Sequence, residues 1–163
     1  RGLSTWAVFD PMWADASCEQ GEDMLACEIR QRNPSIIFIR MGSNDNSSAE
    51  QIRDNFSRII AYCLEQGVIP IIGTKADRYR DFRDNTNSTI RELADDYAIP
   101  LWDFDRVAQT VPNNGLVRDQ VHLSYFYPHD WRLADGFTTG HGVHNLTGLI
   151  MLDELRQILR DAD

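Results

Sequence analysis

No run of lysine and arginine stands out in this 163-residue chain to offset 25 Asp and Glu against 16 Lys and Arg. The resulting charge of −9 argues against a nucleic-acid or anionic-membrane partner, whose phosphates it would repel. We read that charge as a solubility feature rather than a steering one. Long apolar runs are missing as well. The longest, SIIFIRM and GVIPIIG, are far too short to cross a bilayer, so no membrane span is expected. Repeats, low-complexity tracts and linkers are absent too, which predicts one domain over residues 1–163. Cysteine is scarce, with three in all. Cys18 and Cys27 bracket EQGEDMLA, a polar turn running into a helical pattern, and a short-loop disulfide between them is expected. Two reduced core cysteines are the alternative. Such a bridge would imply an extracytoplasmic compartment. Cys63 falls on the apolar face of a helical pattern and reads as a buried free thiol. The chain opens at RGLSTW without an initiator Met, from which a processed, cleaved or truncated polypeptide is expected.

What is present is an alternation of strand and helix patterns. Residues Ser35–Met41, Val68–Gly73 and Ile99–Trp102 are short apolar runs, read as buried parallel strands. Between the first two, Ile52, Phe56, Ile59, Ile60 and Cys63 fall on one face of a helix. Ser48 with Gln51 three residues on predicts its cap, and Gly67 its end. A second helix, Asn85–Ala98, places Ile90, Leu93, Ala94 and Tyr97 together. A last one, 146–161, carries Leu149, Ile150, Leu152, Leu155 and Leu159 behind a cap at Asn145, and an earlier one covers 22–31. This order predicts an α/β fold with a mainly parallel sheet between helices.

Ligands of open parallel sheets bind beyond the carboxyl ends of the strands. The tetrapeptide GSND, 42–45, lies there. Gly42 permits a sharp turn, and the Asn44 amide can donate toward a cleft; Gly42, Asp45 and Lys75 are candidates to border a substrate. Turn and helix-cap duty is the plainer reading of these residues. Further on, DQVH sets Asp119 three residues before His122. An Asp so placed can accept from the ring Nδ1–H, leaving Nε2 free as a base, although an ordinary loop pair is the alternative. Tyr125, Phe126, Tyr127 and Trp131 either wall an acyl or sugar pocket or simply pack under a loop. His141 and His144 form H-x-x-H, but glycines flank them just before the supposed cap, and neither metal nor cofactor is expected. Asn46, Asn55, Asn87 and Asn145 sit in glycosylation sequons.

Taken together and in order, GSND and DQVH resemble blocks III and V of the SGNH (GDSL-type) hydrolases, and GVIPIIGTKAD, IPLWDF and VHNLTGLIMLDEL extend the likeness over nearly the whole chain to a secreted bacterial subgroup. The resemblance implies a three-layer, flavodoxin-like α/β/α fold and ester hydrolysis by a serine without a cofactor. It makes His122 the general base, Asp119 its orienting carboxylate and Asn44 a side-chain oxyanion donor. RGLST is similar to block II, which makes Gly2 a backbone donor. Small-molecule and polysaccharide esters are the implied substrates.

The family's G-D-S block is missing. Ser4, Ser43 and Ser124 do not fit it, so the nucleophile is expected on a segment upstream of Arg1, and the first strand from a nicked N-terminal fragment, a partner chain or a rearranged sheet. A sheet without its central strand would leave buried backbone groups unpaired, at about 1–3 kcal/mol each. The alternative is a catalytically inactive SGNH-like binding or structural module.

Overall fold

The computed structural model describes residues 2–79, 81, 83–128 and 130–161. It is a mixed α/β structure with a three-stranded parallel sheet, ordered β1 (Ile36–Ile39), β2 (Ile69–Gly73) and β3 (Leu101–Trp102). Two compact units are distinguished, Arg1–Thr74 with Arg80–Leu101, and Lys75–Tyr79 with Trp102–Asp163.

The first unit is built around the sheet. β1 and β2 run parallel in the register Ile36↔Ile69 to Ile39↔Ile72. Helix α1 (Met24–Arg32) begins on Asp23, whose carboxylate accepts from Ala26 N–H. The Cys18–Cys27 disulfide ties this helix to the preceding turn, as the spacing predicts. Helix α2 (Ala49–Glu65) buries the face expected of it: Ile52, Phe56, Ile59, Ile60 and Cys63. Ser48 and Gln51 form a reciprocal capping box, which satisfies two backbone donors that the first turn leaves open. The helix closes where Gly67 enters the left-handed region at φ 72°. There Val68 N–H bonds back to Cys63 C=O and Gly67 N–H to Leu64 C=O. Burial pushes the Cys63 thiol up to about 11, so it stays protonated and unreactive.

Helix α3 (Asn85–Tyr97) places Ile90, Leu93 and Ala94 in the core. Ala98 ends it in a left-handed conformation, and Ile99 N–H is spent on Ala94 C=O. That bond, with the missing N–H of Pro100, explains why β3 begins at Leu101 rather than Ile99.

The second unit holds α4 (Phe104–Ala108) and α5 (Gly140–Asp161). α4 is five residues long, too short to display a period in sequence. α5 starts at Gly140, not after Asn145, which lies inside the helix; the cap is Thr139, whose Oγ1 accepts from Gly142 N–H. Glycine is a poor helix former, so the sequence argues against helix here. Close packing reverses that preference. A Cβ on Gly140 would stand 1.9 Å from Gly115 O, and one on Gly142 1.8 Å from Gly136 O. Further along α5, Leu149, Ile150, Ile158 and Leu159 remain exposed. No helix among the described residues is long and apolar enough to cross a membrane.

Candidate active site

In the first unit the chain leaves β1 and turns at Gly42, where φ is 114°, and Asp45 N–H closes the turn on Gly42 C=O. The Asp45 side chain then points inward. It is buried and accepts from Thr5 N–H at 3.1 Å and from Thr5 Oγ1–H at 2.6 Å. Thr5 Oγ1 in turn accepts from Asn55 Nδ2 on α2 at 3.0 Å. Beside this relay, Ser4 Oγ–H donates to Asn44 C=O at 3.1 Å. The segment at 2–5 is thereby laid along 44–45.

Gly2 meets Asn44 so closely that a Cβ would stand 2.1 Å from Asn44 Nδ2, leaving room for glycine alone unless Asn44 moves. The Asn44 side chain is exposed, and its amide makes one long bond, 3.4 Å, to Leu3 C=O. Gly2 and Asn44, far apart in sequence, are thus adjacent. The carboxylate of Asp45, a candidate to border a substrate, is bound by Thr5. Neither Thr5 nor Asn55 carries a signal in sequence, because their partners lie 40 and 50 residues away.

In the second unit Asp119 and His122 share a tight turn with Gln120 in the left-handed region at φ 60°. Asp119 Oδ1 accepts from the N–H groups of Val121 (2.9 Å) and His122 (3.0 Å), while Oδ2 lies 2.8 Å from His122 Nδ1. Val117 N–H donates to His122 C=O, and Leu116 bridges Leu123, so the turn is anchored at both ends. The backbone N–H of His122, then its ring, then Val121 N–H stabilise the carboxylate and hold Asp119 down at about 2. An ionised Asp119 makes Nδ1 the donor and leaves Nε2 as the acceptor. The His122 side chain is 76% exposed, so that nitrogen is reachable.

The sign of the pH dependence follows. A carboxyl depressed from 3.8 to about 2 contributes its bonds fully above 3.8, and loses them as pH falls through 2. Following the Asp119 Cγ shift by NMR should give a midpoint near 2. A midpoint near 3.8 would mean the turn is not formed in solution.

No protein-family model matches the chain. No curated protein matches it either.

Lys75, another candidate to border a substrate, is 1% exposed, with Nζ donating to Asp77 C=O at 3.0 Å. It belongs to a buried charged cluster in which Arg78 also pairs with Asp105 at 2.7 Å. Ser4 and Ser124 are both engaged, the latter donating to Gly115 C=O and accepting from Gly140 N–H. His141 stacks on Tyr125 and His144 packs against Trp102 and Phe104. Among the described residues, the one grouping of three potential metal ligands is Cys18, Glu22 and Cys27, where both thiols are consumed by the disulfide. Asn87 is fully buried, which closes that sequon to a glycan.

Proposed function

We propose that this chain carries the acid–base and oxyanion residues of an SGNH-type serine ester hydrolase with a flavodoxin-like sheet. One observation carries the reading: an Asp119 carboxylate holds the Nδ1 side of His122, leaving Nε2 open to solvent. The approach of Gly2 to Asn44 supports it, since the resemblance assigns both to oxyanion binding. The order β1-β2-β3 agrees with strands three to five of the 2-1-3-4-5 arrangement. The disulfide fits an oxidising, extracytoplasmic setting.

In this mechanism His122 Nε2 takes the proton of a serine Oγ as that oxygen bonds to an ester carbonyl carbon. The carbonyl oxygen gains negative charge, whose stabilisation the resemblance assigns to Asn44 Nδ2–H and Gly2 N–H. Collapse breaks the bond to the alkoxy group, which leaves with the proton from His122. Water then repeats the sequence on the acyl-enzyme and regenerates the serine. On the resemblance, the nucleophile is proposed to be a serine in G-D-S context, a tripeptide that these 163 residues do not contain. The substrates proposed are small-molecule or polysaccharide esters.

A fluorophosphonate applied to the complete protein tests the proposal. It should label one serine, in G-D-S context, and His122→Ala should abolish the labelling. A protein that takes up no label while folded would instead be a binding or structural module.

A further inference from the structure

The aromatic residues that follow His122 divide into two sets. Phe126 is buried and packs on Trp131, which also meets Phe137; these rings fill the loop. Tyr125 and Tyr127 face outward instead, 55% and 81% exposed. Their rings lie 6.2 Å apart and are inclined by 33°. Tyr125 is backed by the His141 ring at 4.2 Å and 32°, so that its outer face is presented in a fixed direction. The backbone beneath is held as firmly. Ser124 C=O accepts from His141 N–H at 3.0 Å, and Ser124 Oγ accepts from Gly140 N–H at 2.8 Å.

Two exposed rings 6.2 Å apart, one of them backed by His141, present apolar faces to water and are suited to binding. We propose that Tyr125 and Tyr127 form a stacking platform for a neutral pyranose chain. The inference deepens the esterase reading, on which it rests for the position of the reacting ester. A pyranose presents an apolar C–H face bordered by hydroxyls, which matches a tyrosine face and its phenolic rim. A flexible acyl chain is a poorer fit, because its gain comes from removing each CH₂ from water on all sides, and an open platform covers one. The net charge of −9 disfavours a polyanionic glycan.

Position supports the same assignment. Tyr125 lies three positions after His122, a span of at most about 11 Å, and Tyr127 five positions after it, at most about 18 Å. A sugar stacked there keeps an ester on the same or a neighbouring unit within reach of His122.

The test is a titration of the complete protein with xylohexaose, cellohexaose and chitohexaose, each to about 10 mM, followed by amide NMR shifts. At least one should saturate, shifting the amides of Tyr125, Tyr127 and His141. Tyr127→Ala should weaken that binding by about tenfold or more, and Tyr127→Phe should retain it. Tyr125→Ala should also weaken it; should that variant misfold, the exposed Tyr127 still decides. No saturation with any of the three sugars overturns the platform, as does binding that both alanine variants leave unchanged. Weakened binding of a long-chain p-nitrophenyl ester alone would also overturn it, assigning the rings to an acyl chain. Hydrolysis is scored separately in His122→Ala. Its persistence there would remove the esterase reading and leave the binding result standing.

Discussion

Asn44→Ala in the complete protein is expected to lower ester turnover by about 10²–10³, the effect of losing one oxyanion donor. The substitution should leave the fold intact. The Asn44 side chain is exposed, and among the described residues its amide donates only the long bond to Leu3 C=O, so its truncation belongs with surface changes of about 0.5 kcal/mol or less. That bond is easily exchanged for one to a developing oxyanion. Because such an interaction forms mainly in the transition state, kcat and kcat/KM should fall together with KM little changed. His122→Ala removes the proton acceptor and should cost about 10⁴ or more. Steady-state kinetics on p-nitrophenyl acetate, with Tm measured alongside, checks both. Wild-type turnover in either variant would end the assignment of that residue, and a loss that follows Tm would make it structural.

The second large effect concerns stability. Asp45→Ala is expected to destabilise the protein by about 2–4 kcal/mol, a large share of a typical 5–15. The carboxylate accepts from both Thr5 N–H and Thr5 Oγ1–H, all of them buried. Removing it strands a buried N–H and replaces charge-assisted bonds with a void. Asp45→Asn retains one acceptor oxygen and should lose less. Urea unfolding of the three proteins, with hydrogen exchange at residues 4–8, distinguishes global loss from local release of the segment beside Asn44. Unchanged stability and unchanged exchange in Asp45→Ala would show that the relay does not hold that segment.

The candidate site was unevenly legible in the sequence. The Asp119–His122 pair was readable because its partners are three residues apart and one turn brings them together. The Ser48–Gln51 cap, the Gly67 terminus and the buried face of α2 were readable for the same reason. The burial of Lys75 beside Asp77 was not, because a lysine after a strand carries no sign in sequence of whether its neighbours enclose it. The start of α5 was hidden because glycine's helix propensity points one way and close packing the other.

By itself, then, the sequence determined the alternation of strands and helices, the cap and terminus of α2, the disulfide and the histidine turn. All of these depend on side-chain periodicity or on contacts within about ten residues. Only the tertiary structure decided that Asp45 faces inward to Thr5, that Asn55 completes the relay, that Gly2 abuts Asn44, and that Tyr125 and Tyr127 face out while Phe126 packs. Each of those outcomes is set by backbone and side chains arriving from distant segments. No local pattern encodes such an arrival, because the free energy that selects it exists only once the core has closed.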